Sequence, residues 1–406
     1  MNNFWYLVGF EYKKIFIRKS FIVAFIITLF FIVFSCATMV MGKNSMSDYS
    51  NTNLTNYEEM LLLKQYGQEL SGRALDTKLI LEASDAYKNI PTNLDVPYML
   101  SEEYLTYALP YSSILDLIDA TYSKSSDRFE YTDFQNISNE DAENFYQIRT
   151  EQYRTNLENN PLFSDENVEA VINLDQKVEK PIIIQYDTGY ERFMALSMTN
   201  VLTIMMLIAF IVSPIFSDEY QKGIDNLILT SKNGKKSQSF AKIFTAVSIS
   251  VIISIISLLV CYYTLMLIYG FEGANSAIQN YIGPLTYNFT MLDCVILLII
   301  TTCFGGFLLT GFSLCLSSIF KQSVISLALS VAIVLFGMMN INGLEKVRYF
   351  LPIAMGSFFD VIAVQFSFNI FGVTIWLYQA VCIVAFMVGS LFLVLAYRNF
   401  KNHQIK

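Results

Sequence analysis

The sequence has only one histidine and few charged residues. His403 is the only histidine among 406 residues, so a histidine-based metal site or a serine–histidine relay cannot be built within one chain. Only 15% of the residues are charged and 54% are hydrophobic, which is too apolar for an ordinary soluble domain. The composition therefore predicts a membrane protein and argues against an enzyme that depends on histidine chemistry.

The sequence also lacks a Walker A loop. The run NGKKS at residues 233–237 matches only the end of that motif, and Leu229 stands where the motif needs its first glycine. None of the six cysteines lies in residues 43–190, so disulfides are not expected to stabilise that stretch. We expect this chain to bind no cofactor, metal or nucleic acid, and not to act as an enzyme by itself.

Six apolar segments are long enough to span a bilayer, which takes roughly 20 residues. They are residues 21–41, 193–216, 243–268, 292–317, 324–340 and 375–397. The fifth is the shortest. The pattern predicts an all-α polytopic membrane protein with six transmembrane helices.

Basic residues indicate the orientation, because Lys and Arg favour the cytoplasmic side in short flanking loops. They occur in residues 1–20, in residues 217–242, at Lys321 and in residues 398–406, which share one side if six helices alternate. The opposite loop, residues 269–291, has neither Lys nor Arg. We therefore predict a multi-pass protein of the cell membrane with both termini in the cytoplasm.

Residues 43–190 are polar and contain no apolar run of spanning length. We expect them to form a mainly helical extracellular domain, since their length is ordinary for one domain. This stretch has 26 acidic and 11 basic residues. The excess of negative charge indicates either a vestibule that concentrates cations or cationic peptides, or a solvated surface.

Ionisable residues are almost absent from the predicted spans. Asp293 begins the fourth one and is expected to lie in the first turn of a helix, where acids are favoured. Residues 343–372 are apolar but are interrupted by Pro352 and Gly356, which predicts broken, re-entrant helices on the extracellular side. Asp360, within this segment, either faces a watery cavity or caps the second short helix.

The charged loop at residues 217–242 contains an apolar patch that includes Leu227. We expect Asp218, Glu219 and Asp225 to keep this patch at the surface. Such a patch suits a short helix that docks into a groove of a partner. The alternative is an amphipathic helix resting on the lipid headgroups.

The loop and the topology resemble those of ABC-2 type permeases, the membrane subunits of a group of ATP-binding-cassette exporters. The residues that resemble the family's loop are Glu219, Gly223, Leu227 with Leu229, Thr230-Ser231 before Lys232, and Ala241-Lys242. Residues 1–20 resemble the family's cytoplasmic amphipathic lead-in helix. The family's usual proline in this loop is absent here, and a lysine replaces its arginine.

The resemblance implies a function and partners. A separate ABC ATPase subunit would bind ATP and Mg²⁺ and contact this chain at Glu219, Gly223, Asp225, Leu227 and Lys242. A second copy of the chain, or a similar permease, would complete the exporter in the lipid bilayer. The cargo classes that the resemblance suggests are a peptide such as a bacteriocin, a drug, a lipid-linked molecule or an ion.

Two other functions compete with export. The chain is alternatively a membrane sensor or immunity protein that binds an external ligand through its acidic extracellular domain and needs no ATPase. A membrane-embedded enzyme is the third possibility, although the intramembrane acids and histidines that it would use are missing.

Overall fold

The structure is a computed structural model that describes residues 2–42, 55–92, 97–122, 131–223 and 234–402. Most of the described residues are helical. Helix α1 (Asn2–Phe16) is followed, after a short break, by α2 (Lys19–Thr38). In the described part of the region between α2 and residue 176, the structure has seven α-helices of 5 to 15 residues. They are α3 (Asn56–Leu70), α4 (Thr77–Tyr87), α5 (Ser112–Tyr122), α6 (Tyr131–Gln135), α7 (Asn139–Glu143), α8 (Phe145–Glu158) and α9 (Asp165–Asp175).

The second half of the chain contains most of the long apolar helices. They and their connecting elements are α10 (Thr188–Ala195), α11 (Ser197–Val212), α12 (Pro214–Gln221), α13 (Ser239–Tyr269), α14 (Met291–Ile319), α15 (Ser323–Phe336), α16 (Glu345–Arg348), α17 (Phe358–Val361) and α18 (Leu377–Lys401). A π-helical turn, Gly234–Gln238, precedes α13.

Among the described residues, five helices are long and apolar enough to cross a membrane. They are Lys19–Thr38, Ser197–Gln221, Lys236–Tyr269, Met291–Ile319 and Leu377–Lys401. Each overlaps a segment that the sequence predicted, with ends that differ by up to several residues. The structure therefore supports a largely helical, multi-pass membrane protein with five helices of spanning length.

The fifth predicted segment differs from the expectation. Residues 324–340 were expected to form a span, but α15 covers only Ser323–Phe336, a 14-residue helix. At 1.5 Å per residue this helix is about 21 Å long. It is shorter than the roughly 30 Å of a hydrocarbon core.

Residues 343–372 also differ in detail. They form two four-residue helices, α16 and α17, and then enter an antiparallel hairpin of β1 (Ser367–Ile370) and β2 (Val373–Trp376). The hairpin was not foreseen. Phe371, at its turn, is fully exposed and has a positive φ of 53°. An all-α description is therefore correct for the long elements but omits this hairpin.

The segment between α15 and the hairpin packs against long helices. A Cβ on Gly356 would lie 2.5 Å from Val201 of α11 and 2.7 Å from Thr302 of α14, and a Cβ on Gly305 would lie 2.6 Å from the carbonyl oxygen of Pro352. The interrupted backbone is therefore in close contact with α11 and α14.

Among the described residues, two large hydrophobic cores organise the chain, beside a small cluster of Leu157, Val168, Val171 and Ile172. The larger one joins α11, α13, α14 and α18 with the segment after α15. The smaller one is built from α3, α4, α5 and α7–α8, and Ile182 and Ile184 close it. The region between α2 and α10 therefore has apolar packing of its own.

This region is attached to the loops between the long helices. The Arg149 side chain donates hydrogen bonds to the carbonyl oxygens of Gly283 (2.8 Å) and Leu285 (2.9 Å) and forms an ion pair with Asp175 at 2.7 Å. Burial opposes ionisation of Asp175, but the guanidinium outweighs it and lowers the pKa of this carboxyl. We call the part of the molecule formed by the described residues of the stretches 55–187, 270–290 and 343–376 the insert end.

Helices α14 and α18 cross at two glycines. A Cβ on Gly311 would lie 2.6 Å from the carbonyl oxygen of Gly389, and one on Gly389 would lie 2.6 Å from the ring of Phe307. Small residues allow helix backbones to approach closely where the hydrophobic effect cannot drive association. Because neither glycine has a side chain, α14 and α18 can cross at this short distance.

We expect Gly311→Ala to destabilise the protein by about 1–3 kcal/mol, because the new methyl group forces two backbones apart. Gly9→Ala in α1 is the matched control, since a Cβ there meets nothing within 4 Å. Thermal unfolding in detergent should show a lower midpoint for Gly311→Ala and an unchanged or higher one for Gly9→Ala. Equal midpoints for Gly311→Ala and the unchanged protein would contradict this account.

Candidate functional site: a buried ion-pair cluster

Helix α1 lies along the beginning of α13. The Tyr12 hydroxyl is 2.6 Å from Ser248 Oγ, and the rings of Phe4 and Trp5 pack edge-on against Phe244. Glu11 and Lys14 are three residues apart and therefore lie close together on the surface of α1. From there Glu11 reaches Lys242 of α13 and Lys14 reaches Glu219 of α12.

Helix α12 begins where Pro214 interrupts the preceding helix. Proline has no N–H to donate, and the next N–H groups need other partners. Ser317 of α14 supplies one, since its hydroxyl accepts from the N–H groups of Phe216 (3.2 Å) and Ser217 (3.0 Å) and donates to the Ser213 carbonyl at 2.6 Å. The break is thereby stabilised, and α12 becomes a separate two-turn element that carries Glu219.

Four charged side chains from three helices meet beside this element, and we call them the ion-pair cluster. Glu219 Oε1 accepts from Lys242 Nζ at 2.6 Å and from Lys14 Nζ at 2.8 Å. Glu11 lies 3.2 Å from Lys242 and 3.7 Å from Lys14. Two carboxylates and two ammonium groups therefore balance, and they connect α1, α12 and α13.

The cluster is withdrawn from water. The side chains of Lys242 and Glu219 are 0% and 2% exposed, whereas Lys14 is 31% exposed. Burial alone would lower the pKa of Lys14, but the carboxylates of Glu219 and Glu11 outweigh it and raise that pKa. The contribution of Lys14 is therefore present at neutral pH and is lost only as the pH rises through the raised value.

Two carboxylate oxygens of the cluster are unsatisfied. Among the described residues, Glu219 Oε2 and Glu11 Oε1 are buried without a hydrogen-bond partner. A buried charge that is incompletely hydrogen-bonded is costly to keep. The cluster is therefore sensitive to any rearrangement that offers these oxygens a donor.

A second, more exposed ion pair extends the contact. Arg18, in the break between α1 and α2, lies 3.1 Å from Asp218, and Lys222 lies 3.6 Å from the same carboxylate. At this side of the molecule Phe216 also packs on Phe400 near the end of α18, and Lys321 lies over the ring of Tyr220. We call this part, formed by α1, α12, the first turn of α13, Lys321 and the end of α18, the basic end.

The site residues expected from the sequence have three different outcomes in the structure. It brings Glu219 and Lys242 into direct contact, but buries them, so the expectation that Glu219 lies at the surface is wrong. Gly223 follows α12 with a φ of 64°, the left-handed conformation that glycine adopts at helix ends. Asp225 and Leu227, together with the rest of the expected docking patch, lie outside the described residues.

Asp360 is at the insert end, far from the ion-pair cluster. Its carboxylate is nearly buried and forms an ion pair with Arg348 of α16. Asp360 occupies the first turn of α17, but its carboxylate accepts a hydrogen bond from the Arg348 guanidinium rather than from the N–H groups of that helix. The pair neutralises Arg348.

Asp293 bears out its expected role. Its carboxylate accepts from the Thr290 N–H at 2.9 Å, and the Thr290 hydroxyl accepts from the Asp293 N–H at 3.2 Å. This is a capping box at the start of α14.

Sequence reasoning missed Glu11 and Lys14 as parts of the site. A signal was present, since Glu11 is the only acidic residue among the first 47 positions. An isolated acid in a basic segment indicates a partner elsewhere in the chain, because a buried lysine such as Lys242 needs a carboxylate to neutralise it.

No protein-family model and no curated protein matches this chain. Functional inference therefore rests on the geometry of the chain itself.

We expect Glu219→Gln to lower the free energy of unfolding by roughly 3–5 kcal/mol, because it leaves two lysines facing the single carboxylate of Glu11. Glu143→Gln removes an exposed acid and is the matched control. Unfolding followed by tryptophan fluorescence or by heating in detergent would measure both.

The double variant Glu219→Leu with Lys242→Leu separates charge from packing. It leaves Glu11 to pair with Lys14, so it should recover much of the stability that Glu219→Gln loses. If the double variant were less stable than Glu219→Gln, electrostatic balance would not be what holds the three helices together.

Proposed function

We propose that this chain is the membrane permease subunit of an ATP-binding-cassette exporter. The observation that carries the proposal is the ion-pair cluster, because it joins α1, α12 and α13 between the described residues Gly223 and Gly234 that flank the stretch 224–233. In the proposal, a force transmitted through Gly223 or Gly234 acts on three helices at once. A separate ATPase subunit, holding ATP and Mg²⁺, is the partner that such an arrangement suits.

The arrangement of the two ends supports the proposal. The stretches that the sequence assigned to one side, residues 43–190, 269–291 and 343–372, contact each other at the insert end. Tyr153 donates to Gln365 at 2.6 Å, Gln365 donates to Thr286 at 2.9 Å, and the N–H of Ser367 donates to Asn167 at 2.9 Å. On the proposed topology this end is extracellular, the basic end is cytoplasmic, and the chain lies in the cell membrane.

The proposed mechanism uses α12 as a lever. Its start is defined by Pro214 and its end by Gly223, and the ion-pair cluster fixes it to α1 and α13. Closure of the ATPase subunits would push the 224–233 loop and shift α12 against Ser317 of α14. Coupling requires that ATP and cargo favour different positions of this lever.

A second copy of the chain, or a similar permease, is part of the proposal. Only 22% of the most apolar stretch of α2 and of α18 is buried within one chain, so both helices have wide faces for lipid or for a partner helix. The exported cargo is a peptide, a drug, a lipid-linked molecule or an ion.

Gly223 offers the sharpest test of the coupling role. A Cβ there meets nothing within 4 Å, so only the left-handed backbone resists substitution. Gly223→Val should strain this turn, whereas Gly223→Asn should be tolerated because asparagine adopts the left-handed conformation more readily. The complex purified from its native membrane should hydrolyse ATP, and cargo-stimulated hydrolysis should fall at least about tenfold in Gly223→Val only.

Insertion and amount of each variant in the membrane would be checked by immunoblotting. The proposal fails if no ATP-hydrolysing subunit accompanies the chain. It also fails if Gly223→Val, once inserted, keeps the stimulated ATPase activity of the Asn variant.

A ligand receptor is the second candidate function, and a cavity favours it. The cavity has a volume of 360 Å³ and lies where α3 meets α10 and the end of α13, a size within the range of small-molecule sites. Asp187 and Asn280 line it; Asp187 accepts from the Ser276 hydroxyl, and among the described residues Asn280 Oδ1 is buried without a partner. Burial and the neighbouring Glu191 raise the pKa of Asp187 well above its ordinary range.

The cavity is expected to accept an organic cation. The charged residues that line it are Glu59, Lys64, Asp187, Glu191 and Arg192. Because the pKa of Asp187 is raised, its carboxyl group keeps a proton to a higher pH than usual. A bound cation would take the place of that proton, so binding of the cation should strengthen as the pH rises through this pKa. Phenethylamine should raise the melting temperature of the protein, whereas the neutral phenethyl alcohol should not.

Asp187→Asn should abolish this stabilisation while preserving the acceptor for Ser276. Glu143→Gln, at an exposed acid outside the cavity, is the control. Equal stabilisation by the amine and the alcohol would remove the support for a cation receptor.

A further inference from the structure

A groove between α2 and α11 runs along the outside of the helix bundle. It consists of two adjoining cavities of 460 and 450 Å³ that share Phe210. The apolar cavity is lined by Ala24, Ile27 and Phe31 of α2 and by Leu202 and Met206 of α11. We call the two cavities together the α2–α11 groove.

The other cavity forms a polar mouth at the basic end. Arg18 and Lys222 border it, and both approach the carboxylate of Asp218. Two positive charges thus face one negative charge, which leaves the mouth net positive. Lys222 is 62% exposed, so its ammonium group is available to another anion.

Helix α15 adds to this electrostatic character. Its first residues, Ser323 and Val324, border the same mouth, and Gln322 before them makes no side-chain cap. The free N–H groups of a first helical turn favour an anion nearby. This effect supports the charge of Arg18 and Lys222 but would not define a site without them.

The dimensions of the groove suit one leaflet of a bilayer. From Arg18 to Phe31 the chain rises by about 20 Å along α2, and half of a hydrocarbon core is about 15 Å thick. Ile27 and Phe31 are exposed despite being large and apolar. An occupant must therefore be apolar over most of its length and anionic at the end near Arg18.

We propose that the α2–α11 groove binds a phospholipid with an anionic headgroup. One acyl chain lies against Ala24, Ile27 and Phe31, and the phosphate and headgroup contact Arg18 and Lys222. This inference goes beyond the proposed function, because it holds whether or not an ATPase subunit binds the chain. It places a lipid beside Asp218, the neighbour in sequence of Glu219 in the ion-pair cluster.

The charge of the mouth predicts a headgroup preference. The probe is phosphatidylglycerol, compared with phosphatidylcholine that carries the same acyl chains, and lipid binding to the full chain is measured by native mass spectrometry. The unchanged protein should bind phosphatidylglycerol at least about fivefold more tightly, the effect expected of about one basic side chain near an anionic surface. Arg18→Gln with Lys222→Gln should abolish the preference.

The control removes the same charge elsewhere. Lys13→Gln with Lys401→Gln takes two lysines from the basic end, and neither of them lines the groove. This variant should keep the preference for phosphatidylglycerol. The proposal is wrong if the two double variants behave alike, or if the unchanged protein shows no preference.

A second pair of variants tests the apolar part independently of charge. Ala24→Leu should fill the groove and weaken binding of both lipids at least about fivefold, whereas Val23→Leu, at an exposed position outside the groove, should not. Unchanged binding in Ala24→Leu would place the lipid elsewhere. Displacement of lipid by a second copy of the chain, seen as a lipid-free dimer in the same spectra, would also overturn the proposal.

Discussion

Charge buried in apolar surroundings is the constraint on which the basic end depends. Lys242 lies within the first turn of a long apolar helix and has no access to water, so it must be neutralised by carboxylates. Glu219 and Glu11 do this from two other helices, and Lys14 completes the balance. The positions of α1, α12 and α13 are therefore coupled by electrostatics, in a region where apolar side chains alone would allow many packings.

The insert end is held together by a different kind of contact. Arg149, Gln365 and Asn167 reach carbonyl, amide and hydroxyl groups of loops that would otherwise have only solvent as partners. Hydrogen bonds of this kind are directional, so they fix the region between α2 and α10 in one orientation on the long helices. The molecule thus has a charge-coupled end and a hydrogen-bonded end, with apolar helices between them.

Much of this arrangement was predictable, and the reasons for the failures are physical. Hydropathy located five long helices because a spanning segment is a local property of sequence, and the Asp293 cap followed from local helix chemistry. The spacing of Glu219, Gly223 and Lys242 indicated a site, and the structure brings two of these residues together. The burial of Glu219 was not foreseen because it depends on Glu11 and Lys14, which are about 200 residues away. The hairpin at residues 367–376 was missed because each strand has only four residues and follows a long apolar stretch.

The short helix α15 has a consequence for the surrounding bilayer. A helix of 14 residues is too short to match a hydrocarbon layer of about 30 Å, and lipids adapt to such mismatch by local thinning. Met338 and Met339, just beyond the end of α15, are apolar and exposed, and they lengthen the apolar segment only slightly. The membrane beside α15 should therefore be thinner than elsewhere around the molecule. A polar molecule moving along this side would have a shorter hydrocarbon layer to cross.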